Sequence, residues 1–161
     1  MEIGAWAEFW PLATFAMEAC EDKTSLEYAA LCTCAGQLEC ERGRAAFAKP
    51  FQKTAMDIRT QRLPWDHPDM ADVYNNFANI INVEWESDEA LDEAMVMFQK
   101  AIQIDETKPL DERSKVLHVR HMNLGTLYTC QEKWAQAEAE LAQGHHYALQ
   151  LFGPDTHWDA T

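Results

Sequence analysis

Apolar residues recur along the chain at spacings of three and four, the period of one helix face. The pattern is clearest after His67-Pro68, where Val73, Phe77, Ile80 and Ile81 share a stripe that runs to the break at Glu86-Ser87-Asp88. A second periodic group, Ala94, Phe98 and Ala101, follows and ends in the stretch Asp105 to Asp111, which contains Pro109. The same plan appears on either side. Upstream, Leu31, Ala35 and Leu38 precede a turn at Glu41-Arg42-Gly43 and then Ala48, Phe51, Ala55 and Ile58. Downstream, Leu117, His121, Leu124 and Tyr128 precede Cys130-Gln131-Glu132-Lys133 and then Trp134, Ala137, Leu141, Gly144 and Ala148. Gly43 suits a left-handed helix terminus, and Thr24 or Ser25 suits an N-cap. Pro50 is expected in the first turns of its helix or at a kink. At the N-terminal end Trp6, Phe9, Trp10, Ala13, Met17 and Cys20 form another stripe, with Pro11 inside it marking either a kink or the true helix start. Strand-like alternation and Asn-Gly hairpin turns are absent, so the expected class is all-α.

The pairs superpose on small residues. Gly36, Ala78 and Gly125 hold one place in each first helix, and Ala48, Ala94 and Ala137 hold one place in each second helix. Small residues there let two backbones approach closely. The period of about 42 to 47 residues lies in the range of helical solenoids. The predicted units are a partial or capping helix at 1–22, pairs at 25–62, 69–104 and 113–152, and the start of a truncated unit at 157–161.

Leu124-Gly125-x-x-Tyr128 with Trp134-x-x-Ala137-x-x-x-Leu141 resembles the tetratricopeptide repeat signature, with Gly144 where that family usually has alanine. Phe77-Ala78 with Ala94-x-x-x-Phe98-x-x-Ala101 is similar, although its interval is four residues longer, an insertion of about one helical turn near Glu86 to Glu89. The first pair, with Gly36, Gly43, Ala48 and Ala55, is the weaker match. Asp66-His67-Pro68-Asp69, Gly153-Pro154-Asp155-x-His157 and Asn75-Asn76-Phe77-Ala78 resemble the longer repeat variant of kinesin light chains, also found in large fungal signalling proteins of the NLR-like type. The resemblance covers about Ser25 to Thr161. It implies a right-handed α-solenoid of antiparallel helical hairpins that binds a protein or peptide along its concave face, with no cofactor and no catalysis.

Charge narrows the partners. A formal net charge of -14 argues against nucleic acid and anionic membrane surfaces. The acids concentrate between Glu84 and Glu112, where a solvated outer face is the plain reading and a docking surface for a basic partner the other. No apolar run reaches the roughly 20 residues of a membrane helix. Glu2, Glu8 and Glu18 interrupt the N-terminal apolar stretch, so it reads as part of the fold and not as a signal peptide. Five cysteines, an odd number, do not form a secreted disulfide framework and point to a reducing, cytoplasmic setting.

First helices line the concave side of such an array. Asp72, Asn75, Asn79 and Asn82 form a polar stripe opposite Val73, Phe77 and Ile81. Asparagine carries a donor and an acceptor and can hold an extended peptide's backbone. Thr33 and Gln37 on the preceding first helix, with Met122, Thr126 and Thr129 on the following one, complete the expected groove. The alternative for the stripe is contact within the array, of the kind open to Asn76 and Asn123. Other readings are weighed on fewer residues. Self-assembly, as the structural tail of a larger NLR-like regulator, is one. A metal-dependent enzyme around His118 and His121 is more remote, because His121 falls on the inward stripe. Cys32 and Cys34 lie about 200 degrees apart around a helix and read as structural.

Overall fold

The structure, a computed structural model, describes residues 6–84 and 87–153. The side chain of Trp6, the break residue Glu86, the connector at 154–157 and the unit start at 157–161 lie outside the described residues. Among those described the elements are helices: α1 (Trp6–Ala19), α2 (Leu26–Glu41), α3 (Ala45–Arg62), α4 (Pro68–Glu84), α5 (Asp88–Glu106), α6 (Leu110–Cys130) and α7 (Trp134–Phe152).

Local chemistry sets the boundaries. Ser25 caps α2 by accepting the Tyr28 N–H at 3.0 Å, and Ser87 caps α5 by accepting that of Ala90. At the end of α2, Gly43 takes a left-handed φ of 68°, its N–H bonding Cys40 O and that of Arg44 bonding Glu39 O. This is a Schellman terminus. The end of α6 repeats it bond for bond, from Glu132 N–H to Thr129 O and from Lys133 N–H to Tyr128 O, but there the left-handed residue, φ 56°, is Glu132. Pro11 and Pro50 both sit in the second turn of their helices. Thr14 and Thr54 each return a hydroxyl bond to the carbonyl of that proline.

The pairs α2–α3, α4–α5 and α6–α7 pack most closely, and α3 and α5 also pack against α4 and α6. In addition α2 approaches α4 and α4 approaches α6, whereas α3, α5 and α7 do not approach one another. First helices therefore form an inner row and second helices an outer one, so the array curves with α2, α4 and α6 on its concave side. The chain is an all-α solenoid.

Close helix approach occurs at the small residues. A Cβ on Gly36 would lie 2.6 Å from Gln52 Nε2, and one on Gly125 would lie 2.7 Å from Leu141 Cγ. Gln52, Phe98 and Leu141 occupy one repeat position, four residues after Ala48, Ala94 and Ala137, and each fills the space that the small residue leaves. In the first pair this knob is polar, which accounts for its weaker sequence match. Its Nε2 donates to Thr33 O at 3.1 Å.

The longer interval of the second pair lies mostly in α5. That helix begins six residues before Ala94, whereas α3 and α7 begin three before Ala48 and Ala137. Intervals in the first and third pairs match.

Three expected stripes are corrected, the first on α1, where Phe9 is 54% exposed because it lies off the face of Trp10, Ala13 and Met17 that meets the array. On α2 the buried residues are Ala29, Cys32, Ala35, Gly36 and Glu39, while Leu31 and Leu38 are only half-buried, because α1 and α3 divide the apolar surface of α2 between them. Trp134 is 63% exposed, at the tip of α7 beyond the reach of α6.

Gly125→Ala is expected to lower stability by about 1–2 kcal/mol, overpacking outweighing a helix-propensity gain of roughly 1 kcal/mol. Removing the Leu141 knob as well should make the two losses clearly non-additive in a denaturant double-mutant cycle. Glu132→Gly should raise stability by about 1 kcal/mol by relieving left-handed strain, and thermal melting checks the sign.

Candidate functional site

The inner row separates the expected groove residues into different roles. Asn75 is 5% exposed, accepts a hydrogen bond from Asn123 Nδ2 at 3.0 Å and donates to Asn76 Oδ1 at 3.3 Å. It stitches α4 to α6, so its place on an open groove is corrected. Asp72 is exposed but bonded to the Arg120 guanidinium. Thr33 spends its hydroxyl on Ala29 O and accepts from Arg59 Nη1. Thr126 and Thr129 are exposed with their hydroxyls turned back to Met122 O and Gly125 O, and Met122 stands 45% exposed beside them. Asn82 is half-buried, its Oδ1 without a protein partner.

Gln37 and Asn79 do come together. They line a cleft between α2 and α4, with Cys40, Glu41, Gln52 and Asn76. Two amide atoms of this cleft, the acceptor Gln52 Oε1 and the donor Asn76 Nδ2, are buried without a partner in the protein. Gln52 lies on an outer helix and reaches the cleft only because Gly36 leaves room, so spacing within first helices could not reveal it. The cleft's thiol is not an activated nucleophile. Burial first, then the carboxylates of Glu39 and Glu41, push Cys40 up from the ordinary thiol range. Burial likewise raises Cys32, and all five cysteines are unpaired.

Polar groups between pairs are structural. Asp105, in the last turn of α5, is fully buried and accepts from Arg120 Nε at 2.9 Å, with Lys108 on its other oxygen at 2.5 Å. The reading of the acids from Glu84 to Glu112 as a solvated face fails at this residue. Arg120, 5% exposed, thereby joins α4, α5 and α6. His121 is buried with Nδ1 2.7 Å from Glu140 Oε2 and its ring stacked on Tyr147, bracing α6 against α7. Burial, with the Glu140 carboxylate adding to it, raises the Tyr128 phenol, which accepts from Gln99.

With this geometry in view, one solved structure is informative. BtubC (BKLC) from P. vanneervenii aligns over 96% of the chain with a TM-score of 0.68 at 19% identity. The fold is a TPR-like helical repeat. The chain spans 61% of the length of that protein. No protein-family model and no curated protein matches the sequence. Among the described residues no helix is long and apolar enough to cross a membrane.

Asp105→Ala is expected to cost about 3 kcal/mol or more, since it leaves the Arg120 guanidinium buried beside a lost partner. Asn123→Ala should cost about 1–2 kcal/mol through the unpaired Asn75 carbonyl. Urea titration of both variants checks the ranking.

Proposed function

We propose that the chain is a non-enzymatic protein-interaction module that holds a peptide or protein segment on its inner row. The observation that carries this reading is the α2–α4 cleft. There Gln37 and Asn79 stand at the surface above a buried acceptor and a buried donor that the protein leaves unpartnered. A peptide backbone offers one N–H and one C=O per residue, which the accessible amides of Gln37 and Asn79 can pair. The exposed Met122 and Thr126 extend the surface along α6. Glu41 at the cleft and the net charge of -14 favour a segment with basic residues. The cleft's lining, Gln37, Cys40, Glu41, Gln52, Asn76 and Asn79, holds no histidine and its Cys40 thiol is raised, which supports a binding role over a nucleophile–base pair. We assign the repeats to the tetratricopeptide type, with the long connectors of the kinesin-light-chain variant. The support is the shared small-residue register and the Schellman turns of the first and third pairs.

Photo-crosslinking amino acids placed singly on the inner row, at Asn79, Met122 and Thr126, and on the outer row, at Lys53, Gln103 and Gln143, test the reading in cell extract. Partner adducts are expected from the inner positions. Adducts confined to outer positions would overturn the assignment.

A further inference from the structure

A second surface lies on the α1 side of α2 and meets that cleft at Gln37 and Glu41. α1 is apolar nearly all round: Trp10, Ala13 and Met17 face the array, while Phe9, Leu12 and Phe15 are 54%, 62% and 70% exposed. A helix apolar on every side is ordinarily buried on every side. Between α1 and α2 runs an open groove with Phe9, Leu12 and Ala16 on one wall and Leu31, Cys34 and Leu38 on the other. It continues past Ala19 and Ala30 towards Cys20 and Ser25. Leu31 and Leu38, left half-buried by the packing of α2, therefore have a defined place as one wall of this groove.

The ends of the groove are acidic. Glu21, Asp22 and Glu27 line one end and Glu41 the other. Glu21, Glu27 and Glu41 have no ion pair among the described residues. Bonds from the Thr24 hydroxyl and N–H hold the Asp22 carboxyl below its usual range, so it stays ionised. Nearby cations are already engaged: the Lys23 ammonium bonds the Met17 and Glu18 carbonyls and lies over the Tyr28 ring, and Arg62 bonds Thr24 beside Asp22. Arg42 is paired to Glu39.

We infer that this groove binds an amphipathic helix from another protein, with an apolar stripe and Lys or Arg at both ends. Two features select that occupant. A cleft between antiparallel helices is filled by a helix elsewhere in this molecule, where α4 lies against α2 and α3, and α6 against α4 and α5. Glu27 and Glu41 are separated by about 21 Å of α2, so cations some four turns apart on one helix reach both ends. A second copy of the chain would instead set acid against acid, at a cost that grows as salt is lowered. The groove shares Gln37 and Glu41 with the α2–α4 cleft, whereas Leu12 and Leu31 line the groove alone, so loss of the helix in the Leu12→Glu and Leu31→Glu variant with crosslinking at Asn79 retained separates the two assignments.

The probe is a fluorescein-labelled helical peptide of about 18 residues, with leucines at i, i+3, i+4 and i+7 and lysines at both ends. Anisotropy is read on the full chain at about 0.15 M salt. Binding is expected, with a scrambled peptide of the same composition at least about tenfold weaker. The double variant Leu12→Glu and Leu31→Glu should lose a similar factor. Because it alters apolar packing, a second variant, Glu27→Lys with Glu41→Lys, is tested beside it. That variant should reject the lysine-ended peptide and accept the same stripe ended with glutamate. Equal binding of the scrambled peptide, or no change in the charge-reversed variant, would overturn the proposal. So would light scattering that shows a dimer dispersed by the Leu12→Glu change, since the occupant would then be a second copy.

Discussion

The array depends on one steric constraint, that each first helix must leave room for the knob of its partner. Gly36 faces Gln52 and Gly125 faces Leu141, at separations where a methyl group could not be added without displacing the knob. At the same repeat position Ala78 and Phe98 are both fully buried in the larger apolar cluster. Dispersion forces fall off steeply with separation, so a close approach fixes helix spacing and brings the surrounding apolar residues into contact together. Pair spacing in turn sets how each first helix meets the next one. The inner row, and any surface on it, is a consequence of these small residues.

Between pairs the chain uses polar contacts as well. A buried carboxylate and guanidinium lose hydration on folding, and their mutual bonds offset that loss only when geometry satisfies both. Asp105 approaches this by accepting a hydrogen bond from Arg120 on one oxygen while the Lys108 ammonium neutralises the other as an ion pair, at the seam where α5 gives way to α6. The apolar contacts on the same seam tolerate sliding, whereas a directional ion pair with defined partners does not. We read this network as the element that fixes the angle of the third pair relative to the second.

Helix pairs, their order and the knob positions were legible in the sequence because burial on one face imposes a period of three and four. The period does not say which face is buried when two faces are apolar. On α2 the leucines marked the wrong side, since α3 packs against Ala29, Cys32 and Ala35 and leaves Leu31 and Leu38 to the α1 side. Polar burial was invisible for a related reason. Asp105 reads as part of a solvated face, Asn75 as a groove residue, and Gln52 carries no signal, because their partners, Arg120, Asn123 and Thr33, lie 15 to 48 residues away in sequence. Trp134 was placed inward by its spacing to Ala137, yet a stripe extrapolated to the tip of a helix can outrun the neighbour that would cover it.

The two seams of the inner row have become different surfaces. Between α4 and α6, Asn123 satisfies Asn75 and Arg120 engages Asp72, which leaves that seam little hydrogen-bonding capacity for a ligand. Between α2 and α4 one atom of each amide, Gln52 Oε1 and Asn76 Nδ2, meets no such partner, and a cleft persists there. The asparagines of one stripe thus diverge according to the neighbour each meets: Asn75 points to the closed seam, while Asn79 lines the open one. Unpaired buried amide atoms carry a desolvation cost of roughly 1–3 kcal/mol each, which makes this seam the less tightly satisfied of the two. On the proposed reading, that difference in satisfied hydrogen bonds, more than the asparagine content of α4, is the reason to place recognition at the α2–α4 seam.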